Sequence, residues 1–197
     1  PLSRYTIDNY PYPSGGGVYD QFIYAAYSGL REYKVSAYAY VGVVSIRSDD
    51  ADKGSTLFDG DGYGQIAMDN FTINPSTPLI NDFWIGYYEL ISKCNVVLAE
   101  VAKDNTGTDE SVKLSAQAEA RFIRAYAYFM MVRVFANVPL VDSVVNISGS
   151  NIPQSSAPAV YAFIEQDLQF AATNLPATWD AKFIGRATSG AAKGLLA

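Results

Sequence analysis

With 197 residues, 49% of them hydrophobic and 17% charged, the chain can bury a real core as one domain or as part of a larger one, and it is too apolar to be disordered. A formal charge of −6 argues against nucleic acid and anionic lipid, both of which require a basic surface. There is no histidine, which excludes Ser–His–Asp and Cys–His catalysis and His-ligated zinc within this chain.

Pro1 to Gly17, with Pro1, Pro11, Pro13 and a Gly-Gly-Gly run, reads as an extended lead-in. Pro1 is not a natural start, so a processed or trimmed N-terminus is expected. Tyr19 to Tyr33 follows as a helix with Phe22, Ile23, Ala26, Tyr27 and Leu30 on one face. Ser36 to Ile46 alternates Tyr, Ala and Val, a pattern that fits a short strand or a buried helical turn equally. Arg47 to Gly54, RSDDADKG, is an acidic turn. Gly54 to Asn81 has no sustained period and reads as a long loop, a type of segment often used for function. Its rings Phe58, Tyr63 and Phe71 either pin the loop to the body or await a ligand.

Asp82 is the expected N-cap of the next helix, whose stripe of Trp84, Tyr87, Tyr88, Ile91, Cys94, Leu98 and Val101 runs to about Ala102. Trp84 is expected in the packing between paired helices. Cys94, the sole cysteine, can form no internal disulfide and reads as a small core residue. A polar turn at Lys103 to Asp109 leads to the helix that organises the chain, beginning near Ser111 and running through Ala116 to about Asn137. It is apolar almost all round, which marks a helix packed on most sides. Glu119, Arg121, Arg124 and Arg133 must therefore find partners or reach water. Pro139 ends it. Asp142 to Pro158 is an irregular connection, and Ala159 to Asn174 is a further helix with Val160, Phe163, Ile164, Leu168 and Ala171 inward. A last helix begins after Gly185, with Thr188 as its N-cap, and the sequence stops inside it at Ala197. No apolar stretch is long enough to cross a membrane as a helix.

Several of these stretches resemble one family. EARFIRAYAYFMMVRVFANVPLV, Glu119 to Val141, is similar to the signature helix of the SusD/RagB-like outer-membrane glycan-binding lipoproteins. AYSGLREY, WIGYYELISKCNVVLAEV, VYAFIEQDLQFAATNLP and GRATSGAAKGLLA resemble that family's other N-terminal helices in the same order. The resemblance implies a mostly α fold, a tetratricopeptide-like array of helix pairs with long irregular loops. It makes residues 1–197 the N-terminal portion of a member, with a loop-rich insert at about 47–82. It further implies no catalysis, no cofactor, a surface position on the outer membrane through a lipid anchor upstream of this sequence, and a SusC-type TonB-dependent transporter as partner. Members bind glycan through loops around the acidic turn and before the second helix. On this sequence that points to Asp49, Asp50 and Asp52, with Tyr63 and Phe71 as stacking platforms.

Other chemistry fits the residues less well. Asp59, Asp61 and Gly64 echo a calcium loop, but Tyr63 and Asn70 stand where it needs carboxylates. Gly60, Gly62 and Gly64 lack the strand–turn–helix context of a nucleotide loop, and their acidic neighbours would repel phosphate. A glycosidase would need two carboxylates facing one bond; Asp49, Asp50, Asp52, Asp59 and Asp61 could in principle supply the pair, but clustered Asp in a solvated turn reads as a hydrated loop. A sugar-free protein scaffold built from the same helices is the other rival. The sequons at Asn70 and Asn146 carry no weight.

Overall fold

The computed structural model describes residues 17–48, 50–54, 56, 62–145 and 151–197. Asp49, Phe58, Asp59, Gly60, Asp61 and Asn146 lie outside the described residues, as does the lead-in before Gly17.

The fold is helical, built on two 26-residue helices, α5 (Pro78–Lys103) and α6 (Glu110–Phe135). A short turn joins them, which makes them antiparallel neighbours. Helix α6 packs on α5 along one side and on α7 (Ala157–Asn174) along another, and it also touches α1 (Asp20–Gly29). Helix α8 (Ser189–Leu196) packs against α7. This contact pattern explains the all-round greasiness of α6: Ile123, Ala125, Ala127, Tyr128 and Met131 are fully buried. It is the central member of the helix-pair array.

The polar residues of α6 are consumed in two networks. Arg186 holds Glu119 through Nε and Nη2 at 2.8 and 2.5 Å and Asp20 at 3.0 Å, while the Tyr27 hydroxyl donates to Glu119 at 2.8 Å. Arg124 forks onto Asp167 of α7 at 2.8 and 3.0 Å and donates to Asn95 of α5 at 2.7 Å and the Asp142 carbonyl at 3.1 Å. Arg121 stands 3.5 Å from Asp167. Arg133 reaches the surface over the Phe129 ring. Thr188 caps α8 by accepting from the Ala191 N–H at 3.2 Å.

Several expected boundaries move. The first helix stops at Gly29, and a short α2 (Tyr33–Ser36) follows. The ambiguous Ser36 to Ile46 stretch is helical, as α3 (Tyr38–Tyr40) running into a π-helix at Val41–Ile46. Asp82 is not an N-cap. Helix α5 starts earlier, with Thr77 at the N-cap and Pro78 in its first turn, where the missing N–H costs nothing. Asp82 instead sits 3.9 Å from Lys34. The 54–81 segment is not one loop either, because α4 (Tyr63–Asp69) forms inside it. Gly64, Ala67 and Met68 of α4 are its buried face, with Gly64 against Leu79. Helix α6 ends at Phe135, with Ala136 in left-handed geometry at φ 60°. Just beyond, Val138–Pro139 pairs antiparallel with Gln154–Ser155, a bridge too short to leave a sequence period.

Candidate functional site

The acidic turn begins where the π-helix ends. The Arg47 N–H donates to the Gly42 carbonyl at 3.2 Å, closing that helix, and the Ser48 hydroxyl caps it by donating to Ser45 at 2.7 Å. Gly42 has no room for a side chain, since a Cβ there would stand 2.5 Å from Leu79 Cδ1. Leu79 thus locks the π-helix and α4 to the first turn of α5, and Arg47 is carried on a fixed frame.

Residues 74–77 supply the second wall. Asn74 accepts the Ser76 N–H on its side-chain oxygen at 2.8 Å, and the buried Thr77 hydroxyl accepts the Asn74 N–H at 3.1 Å. These bonds fold the loop into a turn that leads directly into α5. The third wall is the end of α6, where Phe135 meets Trp84 edge-on at 5.0 Å and 82°. Trp84 also lies 4.9 Å from Tyr88.

Between the three walls is an open cleft of about 540 Å³, within the range of ordinary ligand sites. Its apolar lining is Trp84, Phe135, Ile73, Pro75, Ile80 and Val134, and its polar lining is Arg47, Asn74 and Asn81. Trp84 and Phe135 are only partly buried, so aromatic surface remains for a ligand. Such a lining offers ring faces for apolar C–H surfaces and planar polar groups for hydrogen bonding. A second hollow beside Trp179 and Arg186 holds about 220 Å³, below that range, and its charges Asp20 and Arg186 are already paired.

Of the site residues expected from sequence, the described ones, Asp50, Asp52, Tyr63 and Phe71, are not in the cleft lining. Asp50 and Asp52 are exposed on the turn that follows Arg47. That turn packs against the start of α4, where a Cβ on Gly62 would meet Lys53 Cε at 2.3 Å, so the neighbourhoods of Asp52 and Tyr63 adjoin. Tyr63 opens α4 with 65% of its surface exposed. Phe71 lies beyond the other end of α4, 63% exposed and at φ 55°, a conformation uncommon outside glycine. Neither ring is used to pin the segment to the body. Trp84, Asn74, Asn81 and Arg47 were not among the expected contacts. The signal that pointed to Trp84 was its place on an apolar stripe, which reads as core. The Thr77–Pro78 pair, an N-cap followed by a first-turn proline, would have placed the turn beside it correctly.

Comparison with known proteins finds relatives of the same fold. A family model described as SusD-like, "Starch-binding associating with outer membrane", matches residues 33–197. A SusD-like protein from Bacteroides ovatus is 38% identical over 116 residues, 58% of this chain and 21% of that protein. Among solved structures, a laminarin-binding SusD-like protein superposes with a TM-score of 0.78 at 33% identity, covering 90% of this chain and 38% of that one. A structure solved with xylogluco-oligosaccharide gives 0.67 at 30% identity, covering 88% of this chain and 33% of the other. The chain therefore spans well under half the length of these relatives.

Proposed function

The chain belongs to the SusD-like family, and from that premise we propose that it is the N-terminal portion of a non-catalytic, cell-surface glycan-binding protein. It captures oligosaccharide and passes it to a SusC-type TonB-dependent transporter in the outer membrane, where a lipid anchor holds it. The observation that carries this reading is the cleft, where Trp84 and Phe135 meet edge-on in a lining shared with Arg47, Asn74 and Asn81. Two solved relatives support the ligand class, one being laminarin-binding and one solved with xylogluco-oligosaccharide. The acidic turn at Asp49, Asp50 and Asp52 and the rings of Tyr63 and Phe71 would extend the site outward, contacting sugars beyond those in the cleft.

Binding residues need not break a bond, and the acidic turn gives no reason to invoke hydrolysis. Asp50 and Asp52 are solvated and lie off the cleft lining, so they do not face a bond held there.

Titration calorimetry against a panel of oligosaccharides tests the proposal, with Asn81→Ala and the Tyr63→Ala/Phe71→Ala pair alongside the parent. Binding weakened roughly tenfold by Asn81→Ala places the sugar in the cleft, since a lost hydrogen bond in a site is worth about 1–2 kcal/mol. Loss in the Tyr63/Phe71 variant shows that the site reaches across α4. Absence of binding to any glycan would sink the reading in favour of a protein-binding scaffold.

A further inference from the structure

We propose that the cleft selects anionic glycans, those bearing a uronate carboxylate or a sulfate ester, and that Arg47 is the residue that reads the charge. The inference rests on the glycan reading of the cleft. Its starting point is a contrast of sign: the chain carries −6 overall, yet among the described residues the only charged side chain lining the cleft is a cation.

The rest of the polar side-chain lining is neutral amide, Asn74 and Asn81. Asn74 already accepts the Ser76 N–H on its side-chain oxygen, which leaves its NH₂ group and one lone pair for a ligand. Asp50 and Asp52, the described carboxylates of the acidic turn, do not line the cleft. Sugar hydroxyls donate as well as accept, and a site tuned to neutral sugar benefits from carboxylate acceptors. A lining whose only charged side chain, among the described residues, is a cation suits a ligand that brings the anion itself.

Arg47 differs from the other partly buried arginines of the fold. Arg124 and Arg186 are each held by carboxylates, and Arg121 stands near Asp167. Arg47 is half-buried, and its guanidinium has no hydrogen-bond or ion-pair partner among the described residues. A cation that lines an apolar cleft without a counter-ion leaves its charge-assisted hydrogen bonds free for a ligand. A ligand carboxylate or sulfate would complete it through a two-pronged contact that a neutral sugar cannot match. The apolar walls formed by Trp84 and Phe135 strengthen that contact by lowering the local dielectric.

The test is calorimetry at low salt on the parent, Arg47→Gln and Arg47→Lys. The ligands are oligogalacturonates, sulfated galactan oligosaccharides, and neutral laminari- and xylogluco-oligosaccharides. The parent should bind at least one anionic series about tenfold or more tighter than the neutral ones, with the advantage shrinking as salt rises. Arg47→Gln should erase the advantage by weakening anionic binding about tenfold more than it weakens neutral binding, while Arg47→Lys should retain part of it. Preference for the galacturonates or for the sulfated series identifies which anion is read. Neutral ligands binding as tightly as anionic ones would overturn the inference while leaving the glycan reading intact. So would an anionic preference untouched by Arg47→Gln, whereas no binding by any series removes both.

Discussion

Cys94 is wholly buried in α5, and burial pushes its thiol up to about 12. The physical cause is desolvation of the thiolate, and it has two consequences. At pH 8 a thiol reagent should leave the folded protein unlabelled and modify it fully in denaturant. Labelling of the folded protein would show that α5 opens locally. The second consequence is a pH dependence. The folded value lies above the ordinary 9.0, so unfolding releases a proton between the two values. Stability from this group is intact below pH 9 and falls as pH rises towards 12, by up to about 1.4 kcal/mol per pH unit. Denaturant titrations of the parent and Cys94→Ala across that window should differ in slope. At this scale much was legible from sequence: an apolar helix cannot keep Glu119, Arg121 and Arg124 unpaired, and the networks are where those residues demanded them. Arg47 was not legible, because its isolation depends on where the π-helix aims the chain.

The same limit governs elements. Long helices with a sustained stripe, α5, α6 and α7, announce themselves through their period. Helix α4 spans seven residues, too few for a period to stand out, and its buried face is made partly of Gly64 and Ala67, which carry little hydrophobic signal. The π-helix has no sequence signature at all; Gly42 permits it because Leu79 occupies the space where a side chain would be. Close approach between helices also rests on glycine. At Gly86 of α5 a Cβ would stand 2.6 Å from Lys34 Cβ and 3.2 Å from the Lys34 carbonyl carbon. The second neighbour is backbone and cannot swing away, so Gly86→Ala should cost about 1–3 kcal/mol in urea unfolding. Gly194 in α8 has nothing within 4 Å, and there the same substitution should stabilise by roughly 0.5–1 kcal/mol through helix propensity. Equal effects at both positions would mean that the crossing of α2 and α5 is looser than its geometry implies.

Across the whole molecule, the helix layers are tied by polar joints as well as by the apolar core. Asn95, Arg124 and Asp167 bring one side chain each from α5, α6 and α7 to a single point, and the Asp142 carbonyl adds the connection that follows Pro139. The acceptance of Asn95 N–H bonds by the Val141 and Ser143 carbonyls, at 2.9 and 3.1 Å, extends the joint along that connection. Such a joint fixes the order and register of three helices, and with them the position of Phe135 at the cleft. Its stability follows from charge compensation, because burial by itself pushes the Asp167 carboxyl above its usual range. Arg124→Ala removes the fork and leaves Asp167, among the described residues, with only the longer Arg121 contact, which should cost about 3–5 kcal/mol. Most of that cost belongs to the stranded carboxylate, so the double variant Arg124→Ala/Asp167→Asn should be more stable than Arg124→Ala alone. A double variant as unstable as the sum of its single changes would show that the joint acts through shape and not through charge. The recovered double variant also separates register from charge at the cleft. If it folds and still binds glycan, core packing suffices to hold Phe135 against Trp84. If it folds and binding fails, the joint is what aligns the end of α6 with the start of α5.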